Sequence, residues 1–206
     1  MPSETFFRLP ESKQERIMQA IKDEIARVPY EQFSVGNVIK ECDISRGSFY
    51  QYFANKEDIY LFLISDYQKL IIQIITEKLQ TNGGDIFDAV WQAYRHAVRM
   101  LCYKDPRTFR FNLFCNLHLF DTVWQQDGSM QERIQNFELV KDFISTDCLT
   151  IKTEDEIRTL YSILISTALK DVAYIFITED TEQQVLERYQ AKMDLMKKGF
   201  YKEPNA

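Results

Sequence analysis

The sequence predicts an all-α fold. Glycine and proline are scarce, at 6 and 5 of 206 residues. Apolar residues recur every three to four positions through most of the chain, and no run keeps the two-residue alternation of a half-buried strand. Helix-capping residues punctuate the apolar segments and divide the chain into about nine helices. They arrange as an N-terminal helix-turn-helix unit over 1–56, a long connecting helix from about 56 to 80, and a larger helical domain completing 57–206.

From Glu11 the positions Ile17, Ala20, Ile21, Ile25 and Val28 share one helical face, and Pro29 ends the pattern. Tyr30 to Phe33 is a short connection whose two aromatic rings are expected to plug a three-helix core. Ser34 is a good N-cap, and Val35, Val38 and Ile39 give a short amphipathic helix. Cys42-Asp43-Ile44 breaks it. Ser45 caps a second short helix with Phe49 and Phe53 on its inner face, one turn apart. Arg46, Gly47, Ser48, Tyr50, Gln51 and Tyr52 are left to face outward. Two short helices around a tight turn, the second rich in outward hydrogen-bonding groups, is the layout of a helix-turn-helix DNA reader.

Asn55-Lys56-Glu57-Asp58 supplies a cap and acidic first-turn residues for the next helix. Its apolar positions run from Ile59 to Ile75, and Asn82-Gly83-Gly84 terminates it. At about 25 residues and roughly 37 Å it is long enough to leave the N-terminal unit for the rest of the chain. Asp85 caps a helix to about Cys102, and Asp105-Pro106 opens another to about Phe120. Ser129 with Glu132, and Thr153 with Glu156, form capping boxes ahead of helices to about Ser145 and Ile177. Thr181 opens the last helix, which Gly199 ends.

The segment Ile157–Ile177 is apolar almost all round and must bury more than one face. Two readings are open. The helix is either central in its own domain, or pairs with the last helix to offer an isologous dimer face. The dimer candidates are Leu160, Leu164 and Ala168, with Tyr189 and Met193 on the last helix.

Composition excludes several classes. Charged residues at 27% and hydrophobic ones at 45% describe a globular chain, and a net charge of −6 argues against a protein that coats nucleic acid non-specifically. The start carries no basic segment followed by an apolar run, and Arg158, Lys170 and Asp171 interrupt the most apolar stretch, so the expectation is a cytoplasmic protein without a membrane span. Cys42, Cys102, Cys115 and Cys148 lack CxxC spacing and read as reduced core thiols. Cys115 and His118 share a helical face but have no second pair, so no metal site is expected. With no phosphate loop, nucleophile elbow or acid–base pair, the chain reads as a non-enzyme without cofactors.

The residues Ser34-Val35, Ile44-Ser45-Arg46-Gly47-Ser48-Phe49-Tyr50, Tyr52-Phe53 and Asn55-Lys56-Glu57-Asp58 carry a resemblance. They are similar, in kind and in order, to the helix-turn-helix signature of the TetR family of bacterial transcriptional regulators, over roughly Ile17 to Leu63. Beyond that, helix number, length and order agree. Cys42-Asp43 stands where the family usually has Ala-Gly; Asp tolerates a left-handed backbone, so the turn is expected to survive. Ile39 replaces a usual Ala.

The resemblance implies roles. Arg46 would contact guanine, with Gln51 a second base contact. Gly47 would let the backbone approach the groove. Ser34, Ser45, Ser48, Tyr50, Tyr52 and Lys56 would cap or bind phosphates. It also implies a small-molecule pocket in the C-terminal helices, for which Trp91, Tyr94, Arg95, Phe114 and His118 are candidates, although aromatics at helical spacing also read as plain core. The partners implied are a palindromic double-stranded operator, a second copy of the chain and an unidentified small-molecule inducer that releases a repressor. The alternatives are a helical interaction or scaffold protein, or a small-molecule carrier, that does not read an operator. The stretch Ser34–Lys56 holds only Lys40, Arg46 and Lys56 against Glu41 and Asp43, which leaves these alternatives open.

Overall fold

The computed structural model describes residues 1–102, 107–114, 136–178 and 180–202. Among them there is no strand, and the single β-type pairing is the isolated bridge between Leu149 and Tyr201. Most of the rest is helix, as the sequence predicts. The helices are α1 (Glu4–Phe7), α2 (Glu11–Arg27), α3 (Val35–Glu41), α4 (Arg46–Tyr52), α5 (Lys56–Thr81), α6 (Ile86–Cys102), α7 (Arg107–Phe114), α8 (Glu154–Ile177) and α9 (Glu182–Phe200). The boundaries foreseen at Pro29, Asn55, Asp85, Thr153 and Thr181 hold. Asn55 Oδ1 accepts from Asp58 N at 2.9 Å, Asp85 Oδ1 from Phe87 N at 2.9 Å, and Thr181 with Gln184 forms a complete capping box. The last helix runs one residue past Gly199, which sits inside it rather than ending it. The expected caps at Asp105-Pro106 and at Ser129 with Glu132 lie outside the described residues; of the helix expected to reach Ser145, residues 136–140 are helical and a 3-10 turn over Lys141–Phe143 follows.

The chain divides into two compact units, residues 1–68 with 103–116, and residues 69–102 with 117–206. In the first, Ile17, Ile21 and Ile25 of α2 meet Val38, Phe49, Phe53 and Ile59, all essentially without solvent contact. Burying one such large side chain contributes about 1.5–3 kcal/mol. Tyr30 and Phe33 fill the gap under α5, each edge-on to Tyr60 at 4.9 and 5.9 Å, as the sequence implied for the connection. Helix α7 also belongs to this unit. Its buried Asn112 donates through Nδ2 to the carbonyl of Ile25 at 2.8 Å, one of the last carbonyls of α2, which no helical amide reaches.

In the second unit the C-terminal part of α5 contributes Ile75 and Leu79 to a core with Phe87, Val90 and Val98 of α6. Phe137, Val140, Leu160, Leu164, Val185, Tyr189 and Met193 complete it. The turn after α5 uses Gly83 at φ 74° and Gly84 at φ 83°. A Cβ on Gly84 would stand 2.5 Å from Ser145 N and 2.7 Å from Phe143 O, so glycine is required there by space as well as by conformation. Helix α5 is long and apolar enough by composition to cross a membrane. Its Ile59 and Leu63, and its Ile75 and Leu79, are buried by this chain's own residues, while Phe62, Leu70, Ile71, Ile72 and Ile74 are half-buried. Cys42 is a buried thiol as expected, whereas Cys148 is exposed, because it lies in the loop ahead of α8 rather than on a packed face.

Candidate nucleic-acid interface

Helices α3 and α4 form a hairpin whose turn is made by Asp43 at φ 48°, the left-handed conformation that its side chain tolerates. The amide of Ile44 reaches back to Ile39 O at 3.1 Å and closes the end of α3. Ser45 then caps α4: its Oγ accepts from Ser48 N at 3.0 Å and pairs with Ser48 Oγ at 2.9 Å. With Phe49 and Phe53 in the core, the outward surface of α4 consists of Ser45, Arg46, Gly47, Tyr50 and Gln51, with Ser48 half-buried beside them. The Arg46 guanidinium lies 5.8 Å from the centroid of the Tyr50 ring one turn on, a weak cation–π contact between two exposed side chains, Tyr50 being 45% exposed. A Cβ on Gly47 would meet nothing nearer than Ser45 Oγ at 3.8 Å. Among the described residues nothing demands glycine there.

Two sequence expectations are corrected. Tyr52 does not face outward; it is 5% exposed, its ring 6.1 Å from that of Phe6. Position 52 lies three residues after Phe49 and so shares its inward face, where Phe6 packs on it. Ser34 makes no side-chain cap to α3. Lys56, at the start of α5, donates through Nζ to Tyr30 O at 3.1 Å and sits 3.9 Å over the Tyr30 ring.

The start of α3 is held by Glu24 instead. This α2 carboxylate, 5% exposed, accepts through Oε1 from Ser34 N at 3.1 Å and from Asn37 Nδ2 at 2.9 Å. Arg27 pairs with it at 2.7 to 2.9 Å. Burial alone would push the Glu24 carboxyl up. The hydrogen bonds from Arg27, Asn37 and Ser34 outweigh it and hold the group below its ordinary value. An acid at the start of α3 also complements the helix dipole. Glu24 therefore sets α3 against α2. The clue in the sequence is a carboxylate on the apolar stripe, three residues after Ile21 and four before Val28.

Comparison with known proteins agrees with this geometry. Residues 17–62 match the family described as bacterial regulatory proteins, tetR family, and residues 85–200 match the family described as Tetracyclin repressor-like, C-terminal domain. The chain belongs to the TetR family. Among solved structures, a TetR family transcriptional regulator from Chloroflexus aurantiacus J-10-FL is 22% identical with a TM-score of 0.53, covering 98% of this chain and 100% of that one. A transcriptional regulator from Rhodococcus sp. Rha1 is 16% identical with a TM-score of 0.58, covering 92% and 98%. A putative TetR-family regulator from Mesorhizobium loti MAFF303099 is 13% identical with a TM-score of 0.55, covering 93% and 98%. At these identities the likeness is one of fold. A search of curated proteins finds no match. Membership makes this TetR-family chain a DNA-binding transcription regulator rather than an enzyme.

The candidates in the C-terminal domain of this TetR-family protein fall as follows. Tyr94 is buried and stacked on Tyr189 at 3.9 Å, with the half-buried Trp91 parallel to both at 6.3 and 6.2 Å. These rings pack as a core stack. Trp91 also reaches an open surface depression lined by Glu182, Leu186, Glu187, Gln190 and Asp194. Arg95 bonds Gln92 Oε1 at 3.3 Å. Phe114 belongs to the first unit, on the ring of Tyr67 at 5.2 Å, and His118 and Cys115 lie outside the described residues. Of the dimer candidates, Leu160, Leu164, Tyr189 and Met193 are buried within one chain and Ala168 is half-buried. The first four are interior residues, because α6 occupies the face that the apolar pattern left unassigned. Among the described residues, the open apolar positions of α8 and α9 are Ile163, 38% exposed, and Leu195, 68% exposed. Between these helices the fully buried Asp171 pairs with Lys192 and lies 3.8 Å from Arg188 Nε, a bridge the sequence reading treated only as an interruption of an apolar run.

Proposed function

We propose that this regulator is a homodimeric repressor that reads a palindromic operator through α4 and is released by a small molecule bound among its C-terminal helices. The observation that carries the reading is the outward surface of α4. Arg46, Gly47, Tyr50 and Gln51 are exposed together on a helix whose other side is locked into the core. Arg46 is the base-reading group, able to span guanine O6 and N7, with Gln51 beside it. No described residue crowds a Cβ at Gly47, which fits a backbone pressed against the groove. Ser45, Ser48 and Tyr50 contact phosphates, and Ser34 and Lys56 flank them, Lys56 presenting its charge from a fixed seat on Tyr30. Tyr52 is left out of the contact set.

Two copies would place two such helices in successive major grooves, roughly 34 Å apart. The dimer contact is assigned to the exposed side of α8 and α9 around Ile163 and Leu195. Helix α5 contributes side chains to the core of both units, which supports a route by which an effector that prefers the non-binding state shifts the readers. The regulator acts in the cytoplasm. Selection of genomic fragments by the purified protein tests the reading: a recovered palindrome supports it, and recovery of random fragments rejects it in favour of a scaffold or carrier.

A further inference from the structure

Residues ahead of α2 pack onto the recognition helix, and nothing in the proposed contact set uses them. Pro2 is buried, and Ser3 starts the short helix α1. The amide of Ser3 donates to Tyr52 O at 2.9 Å, and Ser3 Oγ donates to Gln51 O at 2.5 Å. These are terminal carbonyls of α4, which have no helical amide to accept from. Phe6, 1% exposed, then inserts between Tyr52, Phe53 and Phe62, with ring centroids 6.1, 5.1 and 6.5 Å away. At its far end the segment is held by Gln14, whose Nε2 donates to Leu9 O at 2.9 Å and Phe7 O at 3.3 Å.

We propose that residues 2–9 are a strap that positions the recognition helix for base reading, with Ser3 and Phe6 as its positioning residues. The inference rests on the reading of α4 as the DNA-contacting element. A helix of seven residues is far too short to be stable by itself. Its N-terminal end is fixed by the Ser45 cap and its middle by Phe49. Its C-terminal end is fixed by the strap. Tyr52, three residues after Phe49, falls on the same inward face of α4, and Phe6 packs on it there, so the strap holds the helix in the orientation that leaves Arg46, Tyr50 and Gln51 outward. Holding the helix before DNA arrives removes an ordering cost at binding, and the benefit falls on contacts that need exact placement, those to base edges.

Ser3 permits a selective test. Its φ of −72° is one that proline adopts, so Ser3→Pro deletes both hydrogen bonds and, by setting the ring Cδ against Tyr52 O, which the Ser3 amide reaches at 2.9 Å, undocks the strap from the end of α4. Full-length wild type, Ser3→Pro, Ser3→Thr and Phe6→Leu are compared on a genomic fragment selected by the wild type and on an unrelated duplex, with thermal melting and amide exchange followed alongside. The expectation is that Ser3→Pro and Phe6→Leu weaken binding to the selected fragment about tenfold, from the loss of two hydrogen bonds or of close packing. Binding to the unrelated duplex is unchanged, and Ser3→Thr, which keeps both donors, restores wild-type affinity. Exchange at the amides of residues 50–53 rises while that of α8 does not. Equal losses on both duplexes, unchanged affinity in Ser3→Pro, or unchanged exchange at 50–53 would each overturn the strap. If the wild type selects no fragment, the DNA reading itself fails, and the exchange measurement still decides whether the strap holds α4.

Discussion

Arg46 and Glu24 act at the same hairpin by different physics. Arg46→Ala removes the only guanidinium on α4, and a lost bidentate base contact costs about 1–3 kcal/mol of discrimination. Gel-shift titrations should show the selected operator weakened by that amount and non-specific duplex hardly affected; equal weakening of both would assign Arg46 to phosphate. Glu24 is a stability residue. Its carboxyl is held below the ordinary value of 4.5, so it binds a proton less readily folded than unfolded. Its contribution is complete above that ordinary value and is lost as pH falls through the lower folded value. Glu24→Gln should therefore be less stable than wild type by about 1–3 kcal/mol near neutrality, since charged hydrogen bonds are weakened. Denaturant melts should show that gap closing as the pH is lowered beneath 4.5. A gap that is constant with pH would mean the charge is irrelevant. Arg46 was legible from the sequence as an outward cation after a cap. Glu24 was visible only as an acid on an apolar stripe, since its partners Ser34 and Asn37 meet it through a hairpin that sequence spacing does not measure.

At the scale of elements, the caps were the most legible features. Asn55, Asp85, Thr153 and Thr181 act locally, within four residues, and every one of them bonds as its sequence position implies. The turn after α5 was read from Asn82-Gly83-Gly84, but the two glycines are not equivalent. Gly83→Ala meets only the conformational penalty of a positive φ, because nothing lies within 4 Å of its Cβ position, and should cost about 1–2 kcal/mol. Gly84→Ala adds a collision with the backbone of Ser145 and should cost about 2–4 kcal/mol. Thermal melts of the two variants should differ accordingly; equal melting temperatures would mean the loop around Ser145 yields freely. What the sequence missed at this scale is α1. Four residues give too short a run for periodicity to register, although Ser3 followed by Glu4 and then Phe6-Phe7 carried a cap, an acid and a buried ring.

For the whole molecule, the choice between buried and exposed apolar residues on α8 and α9 decides how two copies would meet. An apolar run on one helix does not say which side its own chain covers. That is why Leu160 and Leu164 read as interface from the sequence and lie in the core, beside α6, in the structure. Ile163→Asp and Leu195→Asp, made together, should leave the monomer folded, since neither side chain is buried. They should weaken the dimer by about 2 kcal/mol or more if these residues anchor it. Sedimentation and operator titration should then fall together; an intact dimer would move the contact elsewhere on the surface.

The hydrogen bond from Asn112 to Ile25 gives the first unit a history as well as a shape. Its residues are not contiguous: α7 is made after α6 has already left for the second unit. While the ribosome has delivered only the first 68 residues, the last carbonyls of α2 have solvent where Asn112 will be. A nascent reader is thus a working draft, completed only when residue 112 emerges, and a shortened chain ending after α5 would be arrested at that stage.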